Sequence, residues 1–386
     1  MVNVYIVGSK GIPARYGGFE TFVENLTKGR QTPNIHYFVS CMSDDNNIFE
    51  HNGATCFDIP VPLKNPIGRI LHVSKALQWV EQYIKKQEGP NENIVYVLGC
   101  RIGPLLKKHH RRLSKLDCKV FCNPDGLEWK RDKWNRFEKK ALKLCEAALI
   151  KYSDFIVCDS VGIQDYVLKT YPKILKENTT YIAYGAHVER KPEFDDKAKE
   201  WLAGKGVSQN GYYLIVGRFV PKNNYKIMIR EFMASHSKKD LVIISNQEKN
   251  AFFKSLKNEL HFEKDPRIKF VGTLYDTDIL SSVRCGAFGY IHGHSVGGTN
   301  PSLLEALACT KFNILFDVPF NREVGRDQCL YFSPEKGSLA KIIDSADEGK
   351  INIDFNPKSI IETDFTWESI INKYERLFLG KEQHHA

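Results

Sequence analysis

Val4-Tyr5-Ile6-Val7-Gly8-Ser9-Lys10-Gly11-Ile12-Pro13-Ala14-Arg15-Tyr16-Gly17-Gly18 stands near the start of the chain. Far downstream, Phe288-Gly289-Tyr290-Ile291-His292-Gly293-His294-Ser295-Val296-Gly297-Gly298-Thr299-Asn300-Pro301 follows the same plan. Each stretch begins as a short apolar run that reads as a buried strand. Each continues as a glycine-rich loop and ends where a helical pattern starts, at Phe19 in the first case and Ser302 in the second. A loop of this kind exposes backbone N–H groups beside the positive end of a helix dipole, a place for a phosphate or a sugar oxygen. Two such loops in two separate α/β halves point to one ligand held between two domains.

Outward from these loops, strand and helix patterns alternate. In the first half the strand-like runs are Val2–Val7, His36–Ser40, Thr55–Ile59, Ile94–Leu98, Lys119–Cys122, Phe155–Cys158 and Thr180–Ala183. Helical patterns lie between them, the last one capped by Asp159-Ser160. A polar stretch from Glu189 to Asn210, punctuated by Pro192, Gly204 and Gly206, breaks the pattern. A second alternation starts at Tyr212-Tyr213-Leu214-Ile215-Val216-Gly217 and runs through Leu241–Ser245, Ile268–Val271, Ala287–Ile291, Phe312–Phe316 and Leu330–Phe332. Thr366 to Phe378 reads as a capped amphipathic helix. Alternation of this kind is the sequence form of a doubly wound parallel sheet. Two Rossmann-like domains in tandem are therefore expected, 1–188 and 189–365, facing each other across a cleft, with 366–386 returning to the first domain.

Composition narrows the class. The chain of 386 residues is long enough for two domains, and its 42% hydrophobic and 26% charged residues are ordinary for a globular protein. No apolar run of about 18 residues is present, so no membrane span is expected, and the first residues lack the layout of a signal peptide. The ten cysteines form no C-x-x-C pair and read as reduced, mostly buried thiols. No metal-ligand spacing is evident. Net charge is +9, concentrated in Lys107-Lys108-His109-His110-Arg111-Arg112 with Lys115 and Lys119, and again from Lys130 to Lys143. Such clusters attract nucleic acid, anionic lipid or a diphosphate, or simply solvate a helix face.

Four segments carry candidate chemistry. The loop Gly8–Gly18 is neither G-x-x-x-x-G-K-[ST] nor G-x-G-x-x-G, and is read as an anion or sugar contact, with a structural turn as the alternative. Arg218 and Lys222 in Gly217-Arg218-Phe219-Val220-Pro221-Lys222 follow a strand end, as a phosphate clamp does; two surface cations are the alternative. Asn300-Pro301 suits a helix cap followed by proline at the first position, and Glu305, about one turn in, can accept two ribose hydroxyls. Asp125 and Glu128 sit after the strand Lys119–Cys122 with Trp129 and Trp134 nearby, a sugar-binding composition unless the aromatics are core and Asp125-Gly126 a plain turn.

These residues resemble a known family. Gly217-Arg218-x-x-Pro221, Gly297 to Glu305 and the final helix resemble retaining family 4 glycosyltransferases of GT-B fold. Gly8-Ser9-x-Gly11-x-Pro13-Ala14-x-Tyr16-Gly17-Gly18-Phe19-Glu20-Thr21 and Asp125-Gly126-x-Glu128-Trp129-x-Arg131-x-Lys133-Trp134 are similar to the streptococcal-type β-1,4-rhamnosyltransferases of capsule or cell-wall synthesis. The resemblance implies a dTDP-β-L-rhamnose donor, a polyprenyl-diphosphate-linked sugar acceptor, no metal and no cofactor. It implies that Arg218 and Lys222 hold the diphosphate, with Asn223 beside them, and that Glu305 holds the ribose. The donor sugar is placed against Gly298, Thr299 and Asn300, and the acceptor near Gly17, Gly18, Asp125, Glu128 and Arg131. Arg218, Lys222 and Asp125 are the expected catalytic residues. Two departures stand out: the family's glutamate eight residues before Glu305 is Gly297 here, and its phosphate lysine aligns with Asn223.

The expected reaction is a same-face substitution in which the leaving diphosphate takes the acceptor's proton. A lipid-borne acceptor implies work at the inner face of the cytoplasmic membrane, with Lys107, Lys108, Arg111 and Arg112 as the expected contact. Nucleic-acid motifs are absent, so no nucleic acid partner is expected. Other readings of the same pattern are a transferase with a different nucleotide sugar, a sugar epimerase or inverting transferase, and a non-catalytic sugar- or nucleic-acid-binding protein.

Overall fold

The computed structural model describes residues 1–386 except 15–16, 63–65, 88, 90, 131–133, 187–193, 247–250, 296–298 and 382–386 and the side chains of 66 and 67. The chain forms two compact units, Met1–Gly185 with Trp367–Ala386, and Ala186–Thr366.

The first unit is built on β1 (Val2–Val7), β2 (Ile35–Ser43), β3 (Ile48–His51), β4 (Ala54–Pro60), β5 (Glu92–Leu98), β6 (Cys118–Asn123), β7 (Phe155–Cys158) and β8 (Thr179–Tyr181). Their order in the sheet is β3-β4-β2-β1-β5-β6-β7-β8. All pairings are parallel except that of β3 with β4. Every residue of β1 is buried, which is why it is an unbroken apolar run: helices cover both faces of a parallel sheet. β1 pairs β2 on one side, Val4 opposite Tyr37, and β5 on the other, Val4 opposite Ile94. The order of strands therefore reverses at β1, and loops after β1 and β5 diverge over one crevice.

The strand β3 was not expected. Its signal was present: Asn52-Gly53, with φ +52° and +68°, joins His51 to Ala54 in a two-residue hairpin turn. The final helix, Trp367–Phe378, packs on this first unit as the sequence led one to expect. Tyr374 meets the Tyr96 hydroxyl at 3.2 Å, and the Phe378 ring lies 6.2 Å from that of Phe121.

The second unit carries β9 (Tyr212–Val216), β10 (Asp240–Ile244), β11 (Ile268–Gly272), β12 (Gly289–His292), β13 (Asn313–Phe316) and β14 (Leu330–Phe332), in the order β11-β10-β9-β12-β13-β14 and parallel throughout. Its reversal lies between β9 and β12. Helix Asp196–Ala203 arises where the sequence read as polar connection, and helices Pro319–Gly325 and Pro357–Asp364 arise where no element was read. Asp195 starts the first of them by accepting the Ala198 N–H at 2.8 Å.

Candidate functional site

Each unit has a cluster of loops at the carboxyl end of its sheet, where the strand order reverses. In the second unit the two loops concerned are clasped together. The Lys222 carbonyl accepts the Ser295 N–H at 3.1 Å and the Ser295 hydroxyl at 2.7 Å. Asn224 donates to the Gly293 carbonyl at 2.9 Å, and Asn223 donates to the Arg218 carbonyl at 2.8 Å. A Cβ on Gly293 would lie 2.4 Å from the Asn223 carbonyl oxygen, so the approach admits only glycine. Asn223 is 3% exposed and serves as a brace within the loop, whereas Arg218 is exposed. No carboxylate pairs with Arg218 among the described residues, so its charge is available to a ligand.

Beneath this clasp lie aromatic rings. His292 and His294 stack at 4.4 Å with an angle of 13° between planes. Burial drives the His294 imidazole down to about 3, and the charges of Lys222 and Arg218 push the same way. Burial, with His294, likewise holds His292 well below its ordinary value. Both rings are thus neutral at physiological pH, and the loop's positive charge resides on Arg218 and Lys222.

The helix Pro301–Cys309 enters as the sequence indicated: Asn300 accepts the Ser302 N–H at 2.9 Å and Pro301 takes the first position. Glu305 projects from it 45% exposed, and its Oε2 is held at 2.7 Å by Arg284, a residue only 4% exposed. Arg284 also donates to Ser302 Oγ at 3.3 Å, and Ser302 Oγ lies 3.3 Å from the Tyr290 hydroxyl, which reaches the Val216 carbonyl at 3.4 Å. This chain of contacts ties Glu305 to the end of β9, the strand that leads into Arg218. Thr299 is buried, and Gly298 lies outside the described residues, as does Gly297.

In the first unit the β1 loop runs directly over the end of β5. Gly8 has φ +104°, and a Cβ there would lie 2.2 Å from the Leu98 carbonyl oxygen. Gly17, φ 135°, precedes helix Gly18–Lys28 with no side-chain cap. Glu20 in that helix's first turn folds back so that Oε1 accepts the Lys10 N–H at 2.8 Å, and Oε2 would be 1.8 Å from a Cβ on Gly17. One turn on, Glu24 accepts the Ala14 N–H at 2.9 Å. The two carboxylates consume loop donors; Glu24 is also met by His51 and Asn52, each at 2.8 Å, while Glu20 puts negative charge beside Gly17. Of the two ligand classes left open by the sequence, they favour sugar hydroxyls over an anion at Gly17 and Gly18.

Beside it, Gly99 donates to the Asn123 carbonyl at 2.8 Å, joining the ends of β5 and β6. Asp125 and Leu127 both have positive φ, +65° and +50°, a backbone conformation uncommon for non-glycine residues. Asn123 Oδ1 accepts the Asp125 N–H at 2.9 Å. Glu128 is 5% exposed and accepts the Trp134 indole N–H at 3.1 Å. Arg101, from the loop after β5, sits 3.8 Å from the Glu128 carboxylate and 6.0 Å over the Trp134 ring. Trp129 turns away to Lys143, whose ammonium is 4.7 Å from its ring centre. Arg131 lies outside the described residues.

Sequence reasoning overlooked Glu20, Arg101, Arg284 and the histidine pair. Arg284 had a signal, a lone cation among the apolar positions of helix Thr277–Cys285; Arg101 and the histidine pair showed none, since their roles depend on contacts distant in sequence, and Glu20 read only as part of a helix start. No helix of the described residues is long and apolar enough to cross a membrane, and no group of three or more metal-ligating side chains occurs among them.

Residues 1–187 match the family described as "Domain of unknown function (DUF1972)". No protein of curated function matches the chain by sequence. Among solved structures, sucrose-phosphate synthase from Thermosynechococcus elongatus is similar, with a TM-score of 0.74, 14% identity and coverage of 98% of this chain and 99% of its own. HepE from Anabaena in complex with UDP gives 0.71 and 14% over 98% and 100%. A glycosyltransferase from Rickettsia africae gives 0.70 and 13% over 99% of both chains. With two parallel-sheet α/β units and neighbours of this kind across nearly its whole length, the chain has the GT-B fold of glycosyltransferases.

Proposed function

We propose that this protein is a retaining glycosyltransferase that moves L-rhamnose from dTDP-β-L-rhamnose to a lipid-diphosphate-linked sugar, with a β-1,4 linkage, in bacterial capsule or cell-wall polysaccharide synthesis. One observation carries the reading. At the reversal of the second sheet a braced, half-exposed Glu305 is tied through Arg284, Ser302 and Tyr290 to the carbonyl of Val216, two residues before an exposed, unpaired Arg218. A cation for a diphosphate and a carboxylate for a ribose are the two recognition groups a nucleotide sugar needs.

In this reading Arg218 and Lys222 neutralise the diphosphate as it leaves. The bond from the sugar's anomeric carbon to the phosphate oxygen breaks, the acceptor oxygen bonds to the same face, and its proton passes to the departing phosphate. Asp125 orients the acceptor hydroxyl, while Glu20 keeps phosphates out of the loop at Gly17 and Gly18. The chemistry rests on positioning and charge stabilisation and needs neither metal nor cofactor. The polyprenyl carrier keeps the acceptor in the membrane, so the protein works peripherally at its cytoplasmic face.

A second reading, with a uridine diphosphate sugar as donor, is favoured by HepE, solved with UDP and with UDP-glucose. Isothermal titration of dTDP-rhamnose and UDP-glucose into the purified protein separates the two. Binding of dTDP-rhamnose alone supports the first reading, and binding of UDP-glucose alone overturns it.

A further inference from the structure

We infer that the outer face of helix Arg136–Lys151 is a membrane-docking surface that inserts Phe137 and Leu144 among the headgroups of an anionic bilayer. Phe137 is 85% exposed and Leu144 is 67% exposed. They are seven residues apart, two turns along one face, while Glu146, Leu149 and Ile150 bury the opposite face. Neither apolar side chain is on a fraying end. Asn135 accepts the Phe137 N–H at 2.9 Å and the Glu138 N–H at 3.0 Å, and Glu138 returns a carboxylate to the Asn135 N–H at 2.9 Å. This capping box holds the first turn, and Phe137 with it, out in solvent.

The charge around these residues selects the partner. Arg136 and Lys140 are exposed on the same helix, Lys139 is half-buried, and the first turn's carboxylate, Glu138, is committed to the cap. Lys107 and Lys151 converge on the Tyr152 ring, at 6.0 and 5.4 Å, so the basic helix Leu106–Ser114 extends the positive field. That helix cannot itself insert: its Leu106 and Leu113 are buried, and Arg112 is drawn to Glu81 at 3.3 Å. Of the cations expected from the sequence to meet the membrane, Lys107, Lys108 and Arg111 therefore supply attraction, and the apolar anchor is the next helix. Two apolar side chains about 10 Å apart are too sparse for the roughly 800 Å² per partner of a stable protein interface. Shallow insertion with cationic support is what they suit. The same helix follows closely on the loop of Asp125 and Glu128, so docking would hold that loop against the surface from which a lipid-linked acceptor projects. Only this last consequence rests on the proposed function.

The test uses the whole protein without donor or acceptor, so its failure leaves the transferase reading untouched. Co-sedimentation is measured with vesicles of phosphatidylcholine alone and with phosphatidylglycerol added. The proteins are wild type, Phe137→Ser with Leu144→Ser, and Ile48→Ser, which alters another exposed apolar residue, 63% exposed, of the same unit. Wild type and Ile48→Ser are expected to bind the anionic vesicles, more weakly at high salt. The double variant is expected to lose about tenfold or more in partitioning per side chain removed, with an unchanged melting temperature. No binding by wild type, equal binding by the double variant, or a wild-type dimer in sedimentation that the double variant abolishes would each overturn the proposal.

Discussion

Replacing Glu305 by glutamine should damage two properties at once, and the structure sets the size of each. Arg284 is 4% exposed and its Nη2 reaches Glu305 Oε2 at 2.7 Å, so the glutamine leaves a buried guanidinium without its carboxylate. Breaking a fully buried pair costs about 3–5 kcal/mol, and an exposed pair is worth about 0–1. Glu305 is 45% exposed, so solvent screens the pair, and a loss of about 2 kcal/mol is expected, or about 4–8 °C in the melting of a unit of this size. The second effect is on the donor. Two ribose hydroxyls that had a charged acceptor would have a neutral one, costing about 1.5–3 kcal/mol, or a roughly 10- to 100-fold weaker donor affinity. Arg284→Met separates the two: it removes the brace but keeps the carboxylate, so stability should fall with a smaller change in donor affinity. Differential scanning calorimetry and titration with the nucleotide sugar give both numbers. A Glu305→Gln protein that melts lower but binds donor as tightly as wild type would refute the ribose role.

Arg218→Ala should lower transfer about 10²- to 10³-fold with an unchanged melting temperature, because its side chain is exposed and its contribution is to leaving-group charge; steady-state rates check this. Gly293→Ala should cost about 1–3 kcal/mol in denaturant unfolding and disorder the loop that follows β9, since the new Cβ would fall 2.4 Å from the Asn223 carbonyl oxygen and 2.7 Å from Met228 Cε. Acid should destabilise the protein well before its carboxylates titrate. Burial pushes His72 down to about 4, against about 6.5 in an unfolded chain. The unfolded state therefore binds the extra proton between those values, and stability falls as pH drops through that window, with His294 extending the effect toward 3. Melting temperatures from pH 7 to 4 should show this fall, and His72→Gln should make it shallower, leaving the part that His292 and His294 contribute. Treatment with EDTA should leave the transfer rate unchanged, as measured by nucleoside diphosphate release.

Much of the scaffold was legible because it is written in local patterns. The β1 run, the Asn300-Pro301 cap and the Ser160 cap, which accepts the Ile163 N–H at 3.3 Å, all depend on neighbours within a few residues. The parallel pairing of both sheets, the β3 hairpin apart, was legible in the alternation of strand and helix patterns. The parts that were not legible involve distant partners. Arg284 finds Glu305 on another helix, Arg101 finds Glu128 across two strand ends, and the histidine stack is neutral only because the fold buries it. Glu20 shows the limit at close range: it was read as the opening of a helix, whereas its carboxylate reaches back ten residues and changes what the loop at Gly17 and Gly18 can bind. Charge was legible in amount, as in the basic run at Lys107–Arg112, but the exposure of Phe137 and Leu144 was not, since it depends on which face of their helix packs on the unit.

The central claim, that donor chemistry on the second unit drives sugar transfer, is tested most directly by one incubation. Purified protein is mixed with dTDP-β-L-rhamnose and a synthetic lipid-diphosphate sugar, and the product is followed by mass spectrometry and by NMR of the new anomeric centre. The account predicts an acceptor heavier by one deoxyhexose in β linkage, one dTDP released per sugar transferred, and loss of both signals in Arg218→Ala. Neither transfer nor nucleoside diphosphate release, from this donor or from a panel of other nucleotide sugars, would contradict it.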